Sequence, residues 1–399
     1  MRRARGGGGD PGLIRHPVWS SGFRPFFLAA AAYGPLLLLT WTGAHLGWWR
    51  WPEAALSLPL LHGHELLFGF AAALVCGVLL TALPSWSGAD EIHGRPLALL
   101  ALVWLAGRVV LHAGGWLPGW LVLAIDCALL PALAGLLFHT VAPARQRLFW
   151  WTLPPLAALA IANVLFHLAL ARGATADAQW ALLLGIHALV FLFAIYGGLF
   201  IPAFTRRWLQ ERGEPARAIW MPLEYATALA MLAFAVADLG AAPPGWMLAA
   251  ALAAAGIHAW RQARWRGWRT GSEPLLWCIH LGYAWFIVAL LLRALAEVVP
   301  AVPREAWIHA FTVGAYGMLK IGLMTRVALR HTGRPLRASP AMQLAFGLMF
   351  LAALLRLIYA VQIPSAGVLA TAALLWAGAL LLYLAVHGRM LLRPSLPRG

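Results

Sequence analysis

Apolar stretches of about 20 residues recur along this chain from residue 26 to residue 388. So many stretches of spanning length in one polypeptide suit a lipid bilayer and little else. In hydrocarbon the backbone must pair its own N–H and C=O groups, so runs of this length form helices. A β-barrel would instead show short segments of alternating polarity. Runs such as Leu97–Leu111 and Leu344–Leu355 do not alternate. Composition agrees. The chain is 62% hydrophobic and 11% charged, with a mean hydropathy of +0.76, whereas a soluble protein has about 45–50% apolar and about 25% charged residues. A soluble enzyme, a disordered tail protein and a secreted disulfide scaffold are all excluded.

The pattern predicts an all-α, polytopic transmembrane helical bundle of about 12 spans. They fall near 26–46, 60–82, 96–113, 118–142, 148–171, 178–204, 219–239, 245–262, 273–296, 305–330, 340–361 and 365–388. A segment at 1–25 precedes the single membrane domain, 26–388, and a short basic tail follows at 389–399. Of the 30 basic residues, 23 lie at the termini or in loops after even-numbered spans. Three (Arg50, Arg172, Arg304) lie on the opposite side, and Arg108, Arg293, Lys320 and Arg356 lie within spans. This asymmetry predicts that both termini are cytoplasmic. The formal charge of +16 then reflects topology and contact with anionic lipid, not nucleic acid. No small-residue cleavage pattern precedes the first apolar run, so the N-terminal segment reads as a retained stub. The links are too short for an inserted soluble domain, and no repeat of fixed period stands out. Trp48, Trp49, Trp51, Trp86, Trp116, Trp120, Trp150 and Trp151 fall where an interfacial aromatic belt would place them.

Polar groups at lipid depth are costly, so their positions are informative. The densest group is His62-Gly63-His64-Glu65, at the start of span 2. Two residues along a helix turn a side chain by about 200°, so His62 and His64 point apart and cannot share one metal. His62 and Glu65 are spaced to share a face, with Glu65 a candidate proton relay. On span 10, His309 and His331 are about 33 Å apart at helical rise and belong to different sites. His309 is at the depth of the His62/His64 group. His331 is at the depth of His258, and of His280 a few turns into span 9. The expectation is two clusters, one at each face. Imidazole suits haem iron and copper. Interfacial histidines bonded to water and headgroups would give the same sequence. His112, His139, His167 and His187 have no motif around them and read as structural. Lys320 lies eleven residues after His309, about three turns, so both point the same way; it could carry a proton, hold a propionate or pair with an acidic residue. Cys76, Cys127 and Cys278 form no CxxC, and no HExxH, calcium loop or Walker lysine is present.

Several of these stretches together resemble the NnrS family of haem- and copper-containing membrane proteins. They are Gly22-Phe23-Arg24-Pro25-Phe26-Phe27, His62-Gly63-His64-Glu65 through Phe70, Leu80-Thr81-Ala82-Leu83-Pro84, Gly94-Arg95-Pro96-Leu97, Ile201-Pro202-Ala203-Phe204-Thr205, His309 through Gly314, and Arg326 through Leu336. His258 and His280 sit in looser matches. The resemblance implies haem b and copper in a bacterial inner-membrane protein of the response to nitric oxide and nitrosative stress. It also implies that His62, His64 and His309 bind cofactor, with His258, His280 and His331 as further metal ligands. Two departures stand out. Leu199 follows Gly197-Gly198 where the family usually has arginine, and Lys320 is present where a lysine is usually absent. The alternative function is a transporter or exporter of a metal or nitrosyl-iron species without redox turnover. A haem-holding sensor or assembly factor is a weaker third reading, since no soluble signalling domain is visible.

Overall fold

The computed structural model describes residues 16–51, 56–141, 147–361 and 365–397. The basic stub up to Arg15 lies outside the described residues. Twelve helices follow one another, with no strand among the described residues. They are α1 (Phe23–His45), α2 (Leu58–Ser87), α3 (Arg95–His112), α4 in two halves (Gly119–Asp126 and Leu129–Val141), α5 (Arg147–Ala171) and α6 (Thr175–Gln210). After these come α7 (Met221–Leu239), α8 (Pro244–Arg264), α9 (Pro274–Leu295), α10 (306–331), α11 (Pro340–Val361) and α12 (Ala366–Leu392). Each corresponds to one predicted span. Ten are long and apolar enough to cross a membrane; α8 and α10 are not among them. Those two carry His258 and Arg261, and His309, Lys320 and Arg326. A helix can be this polar where protein shields it from lipid. In α10 every residue from Gly317 to Thr325 is buried. By contrast α3 exposes Leu99, Leu102, Leu105 and Val109 along one stripe, as a lipid-facing helix should.

The helices form three groups of four in a closed ring. Within the groups α1 packs on α2, α5 on α6 and α9 on α10, while α3 packs on α4, α7 on α8 and α11 on α12. The groups join where α4 meets α5, α8 meets α9, and α12 meets α1. The pairing recurs from group to group, and a few short stretches of sequence recur with it. Pro118-Gly119-Trp120 opens α4 and Pro244-Gly245-Trp246 opens α8. His93-Gly94-Arg95-Pro96-Leu97 follows α2 and His331-Thr332-Gly333-Arg334-Pro335-Leu336 follows α10. Gly94 (φ 67°) and Gly333 (φ 74°) are both left-handed there, a conformation that a Cβ disfavours. His64, His187 and His309 sit near the start of α2, α6 and α10 at almost equal intervals.

Two of these inner helices share a backbone irregularity. A π-helical segment runs over Glu65–Ala71 in α2 and over Ala310–Tyr316 in α10. The wider turn loosens the regular i→i−4 ladder and frees carbonyls. Trp104 Nε1 donates to Gly69 O at 2.9 Å, and Tyr316 Oη donates to Ala71 O at 3.0 Å. These bonds satisfy the freed groups away from water, as a membrane interior requires, and the second ties α10 to α2.

At the other end of the bundle the start of α1 and the stretch after α12 are clasped together. The buried Arg24 guanidinium donates to Leu391 O (2.8 Å), Arg393 O (2.7 Å) and Ser395 Oγ (2.8 Å). A cation here complements the partial negative charge at the C-terminus of α12. The Gly22-Phe23-Arg24 stretch thus has a structural task in closing the ring.

Candidate functional site

The α2 histidines do point apart, to two different sites. His62 lines an apolar cavity of about 580 Å³ between α1, α2, α6, α10, α11 and α12. His309 lines it from α10 and Arg356 from α11, with Phe70, Tyr316 and Trp376 among its walls. The His62 ring lies against Trp41 with ring centroids 4.1 Å apart. Its Nδ1 is buried without a hydrogen-bond partner. His309 Nε2 accepts from Arg356 Nη2 at 2.6 Å, while Arg356 Nη1 is also buried without a partner. Two imidazoles and a guanidinium thus meet in a largely apolar slot, the usual make-up of a cofactor site.

His64 turns the other way. Its Nε2 lies 3.1 Å from Asp126 Oδ2 and 2.9 Å from Asn163 Oδ1. His167 Nε2 lies 2.9 Å from the same Asp126 oxygen, to which Asn163 Nδ2 also donates at 2.9 Å. His64, Asp126 and His167 are all buried and form a group able to hold a metal ion. Beside them the Arg108 guanidinium donates to both Glu65 and Asp126, and Tyr33 Oη donates to Glu65. Asp126 reaches this point because α4 breaks after it, at Cys127 and Ala128. Asn163 and His167 are one helical turn apart on α5, and so share a face.

Several expectations need correction. Glu65 and His62 do not share a site. Glu65 lies outside the cavity lining and pairs with Arg108, because the π segment beginning at Glu65 changes the register and a buried carboxylate follows its cation. His309 meets His62 but not the His64 cluster. Lys320, expected to follow His309 on one face, is absent from the cavity lining and stands over the Tyr316 ring at 5.0 Å. The intervening π turn again shifts the face. Lys320 makes no ion pair among the described residues.

The second expected cluster divides too. His258 Nδ1 is 2.7 Å from Tyr283 Oη, and His280 Nε2 is 2.8 Å from Thr205 Oγ1. Both lie near Trp265 and Tyr283, where Arg261 pairs with Glu224. His331 lies elsewhere, against Phe23 and 4.0 Å from Glu91, with Ser395 Oγ donating to its carbonyl at 3.1 Å. It belongs to the terminal clasp. The glycine pair before Leu199 has a guanidinium beside it after all. A Cβ at Gly198 would overlap that of Arg261, which donates to Ala194 O at 2.9 Å.

Residue spacing missed Asp126, Asn163 and His167. The Asn163/His167 turn was one available signal, but neither residue sits in a recognisable motif. His187, also taken as structural, is held by Asp238 (2.9 Å), which in turn accepts from Arg293.

No curated protein matches the chain. The family model described as NnrS protein matches residues 17–395, from the turn before α1 to the tail after α12. This multi-pass helical membrane protein, with its buried His/Asp group, belongs to the NnrS protein family.

Proposed function

We propose that the chain is a haem- and copper-binding membrane protein of the nitric oxide response, with haem b in the slot between α2 and α10. The observation that carries this reading is the pair His62 and His309 lining one cavity of about 580 Å³, a size within the range of about 300–1,000 Å³ typical of small-ligand sites. The two imidazoles come from helices that Tyr316 ties together. Trp41 holds the His62 ring in place, and the buried Nδ1 of that ring is without a protein partner. Arg356 keeps a buried donor to spare, which suits a propionate carboxylate. Leu38, Leu66, Leu67, Phe70 and Leu182 keep the slot dry. Haem held there by His62 and His309 would supply an iron able to bind nitric oxide and exchange electrons.

Purified protein is expected to show a Soret band with about one haem b per chain, and nitric oxide should shift that band. Colourless protein rejects the haem slot. Colourless protein that still moves a nitrosyl-iron species across liposomes favours the transport reading. A haem spectrum indifferent to nitric oxide rejects the nitric oxide role.

The charge asymmetry supports cytoplasmic termini and a periplasmic His62 end in the bacterial inner membrane. Alkaline phosphatase fused after residue 397 should be inactive, and the same enzyme inserted at Gly114–Gly115 should be active. The reverse pattern would invert the topology.

A further inference from the structure

We propose that His64, His167 and Asp126, with Asn163 beside them, hold a copper ion in a centre separate from the His62/His309 slot. The inference deepens the proposed function by giving its copper a place, and it does not depend on haem being present.

Geometry comes first. Nitrogen and oxygen donors lie about 2.0–2.2 Å from such an ion, so neighbouring donors at near-right angles are about 3 Å apart. The Asp126 Oδ2 to His64 Nε2 and His167 Nε2 separations are 3.1 and 2.9 Å. Asn163 Oδ1, at 2.9 Å from His64 Nε2, is placed as a further oxygen. Two imidazoles and a carboxylate form a donor set suited to first-row transition metals. The donors come from three helices, so the ion would pin α2 and α5 to the break in α4.

Charge comes second. Glu65 and Asp126 bring two carboxylates, and Arg108 supplies one guanidinium. Arg108 is 5% exposed and both acids are at most 3% exposed. Unbalanced charge at this depth is expensive. The group is one positive charge short with neutral imidazoles. A cuprous ion makes it neutral; a cupric ion overshoots by one. Among the described residues, the basic groups that face the cluster are Arg108, His64, His167 and, next to Arg108 and His64, His112. His64 and His167 are the proposed ligands, and a ligating imidazole is neutral.

The residues around the cluster fit a metal site as well. His64 Nδ1 is buried 3.4 Å from Glu65 Oε1 without a hydrogen bond to it, so a small turn of the ring would bring Glu65 into the position that carboxylates take behind metal-bound histidines. Glu65 is a positioning residue here, itself held by Arg108 and Tyr33.

The test uses full-length protein stripped with chelator and reloaded with Cu²⁺. Metal analysis should find about one copper per chain. The oxidised protein should give a cupric resonance split by two imidazole nitrogens. His167→Ala should remove one of those couplings and lower copper at least tenfold. Asp126→Asn should also lower copper tenfold, with the haem band unchanged in both variants. Size-exclusion profiles report folding. If neither variant folds, the nitrogen couplings of the wild-type resonance decide. Copper absent after reloading, another metal in its place, a resonance without two nitrogens, or full copper in folded His167→Ala would each overturn the proposal. Copper retained in colourless protein would fault the haem slot and leave this centre standing.

Discussion

Arg108→Met is expected to destabilise the protein by about 3–5 kcal/mol, the usual cost of removing one partner from a buried ion pair. The guanidinium bridges Glu65 of α2 and Asp126 of α4, and all three groups are buried. Methionine fills similar volume but leaves two carboxylates facing each other without a cation. Melting in detergent should fall by roughly 4–6 °C, given about 1 °C per kcal/mol in a chain of this size. Arg108→Lys should fall in between, since a lysine keeps the charge and loses the two-pronged geometry. Adding Glu65→Gln to Arg108→Met should recover part of the loss, because the two sites are coupled. A methionine variant that melts within a degree or two of wild type would mean that the ion bridge does not hold α2, α3 and α4 together.

The second large effect concerns the slot. His309→Ala and His62→Ala should each lower bound haem b at least tenfold, which corresponds to about 1.4 kcal/mol or more of binding free energy. His309 is the more telling position. It lines the cavity and also accepts from Arg356, so its loss leaves a buried guanidinium with one partner fewer. Copper should be unchanged in both variants, since neither residue belongs to the His64 cluster. His64→Ala should show the converse, with haem kept and copper lost. Haem at the wild-type level in both His62→Ala and His309→Ala would remove the slot from consideration. Copper lost together with haem would join the two sites into one.

The helices were legible because lipid leaves no other choice. A run of some 20 apolar residues in hydrocarbon is a helix whatever its neighbours do, and all twelve predicted spans correspond to helices. The opposed directions of His62 and His64 followed from helical geometry alone. Helical spacing misleads where it crosses a π segment. Glu65 is three residues after His62, and Lys320 eleven after His309, spacings that share a face only on a uniform helix. Both separations include residues of a π turn, which carries no clear local sequence signature. The recurring pairing of helices left little trace in the sequence, because helix packing in lipid needs apolar surface but no particular residue.

Fold class, helix number and the division of polar from lipid-facing residues are set locally, since each depends on how one segment partitions between water and hydrocarbon. Which buried groups meet is set at a distance. Asp126 reaches His64 because α4 breaks; His167 reaches Asp126 because α5 packs beside that break; His331 packs on Phe23 at the start of α1 and not on the other histidines. Burial makes every unpaired polar group costly, but only the packing of helices from distant parts of the chain decides which partner each one finds.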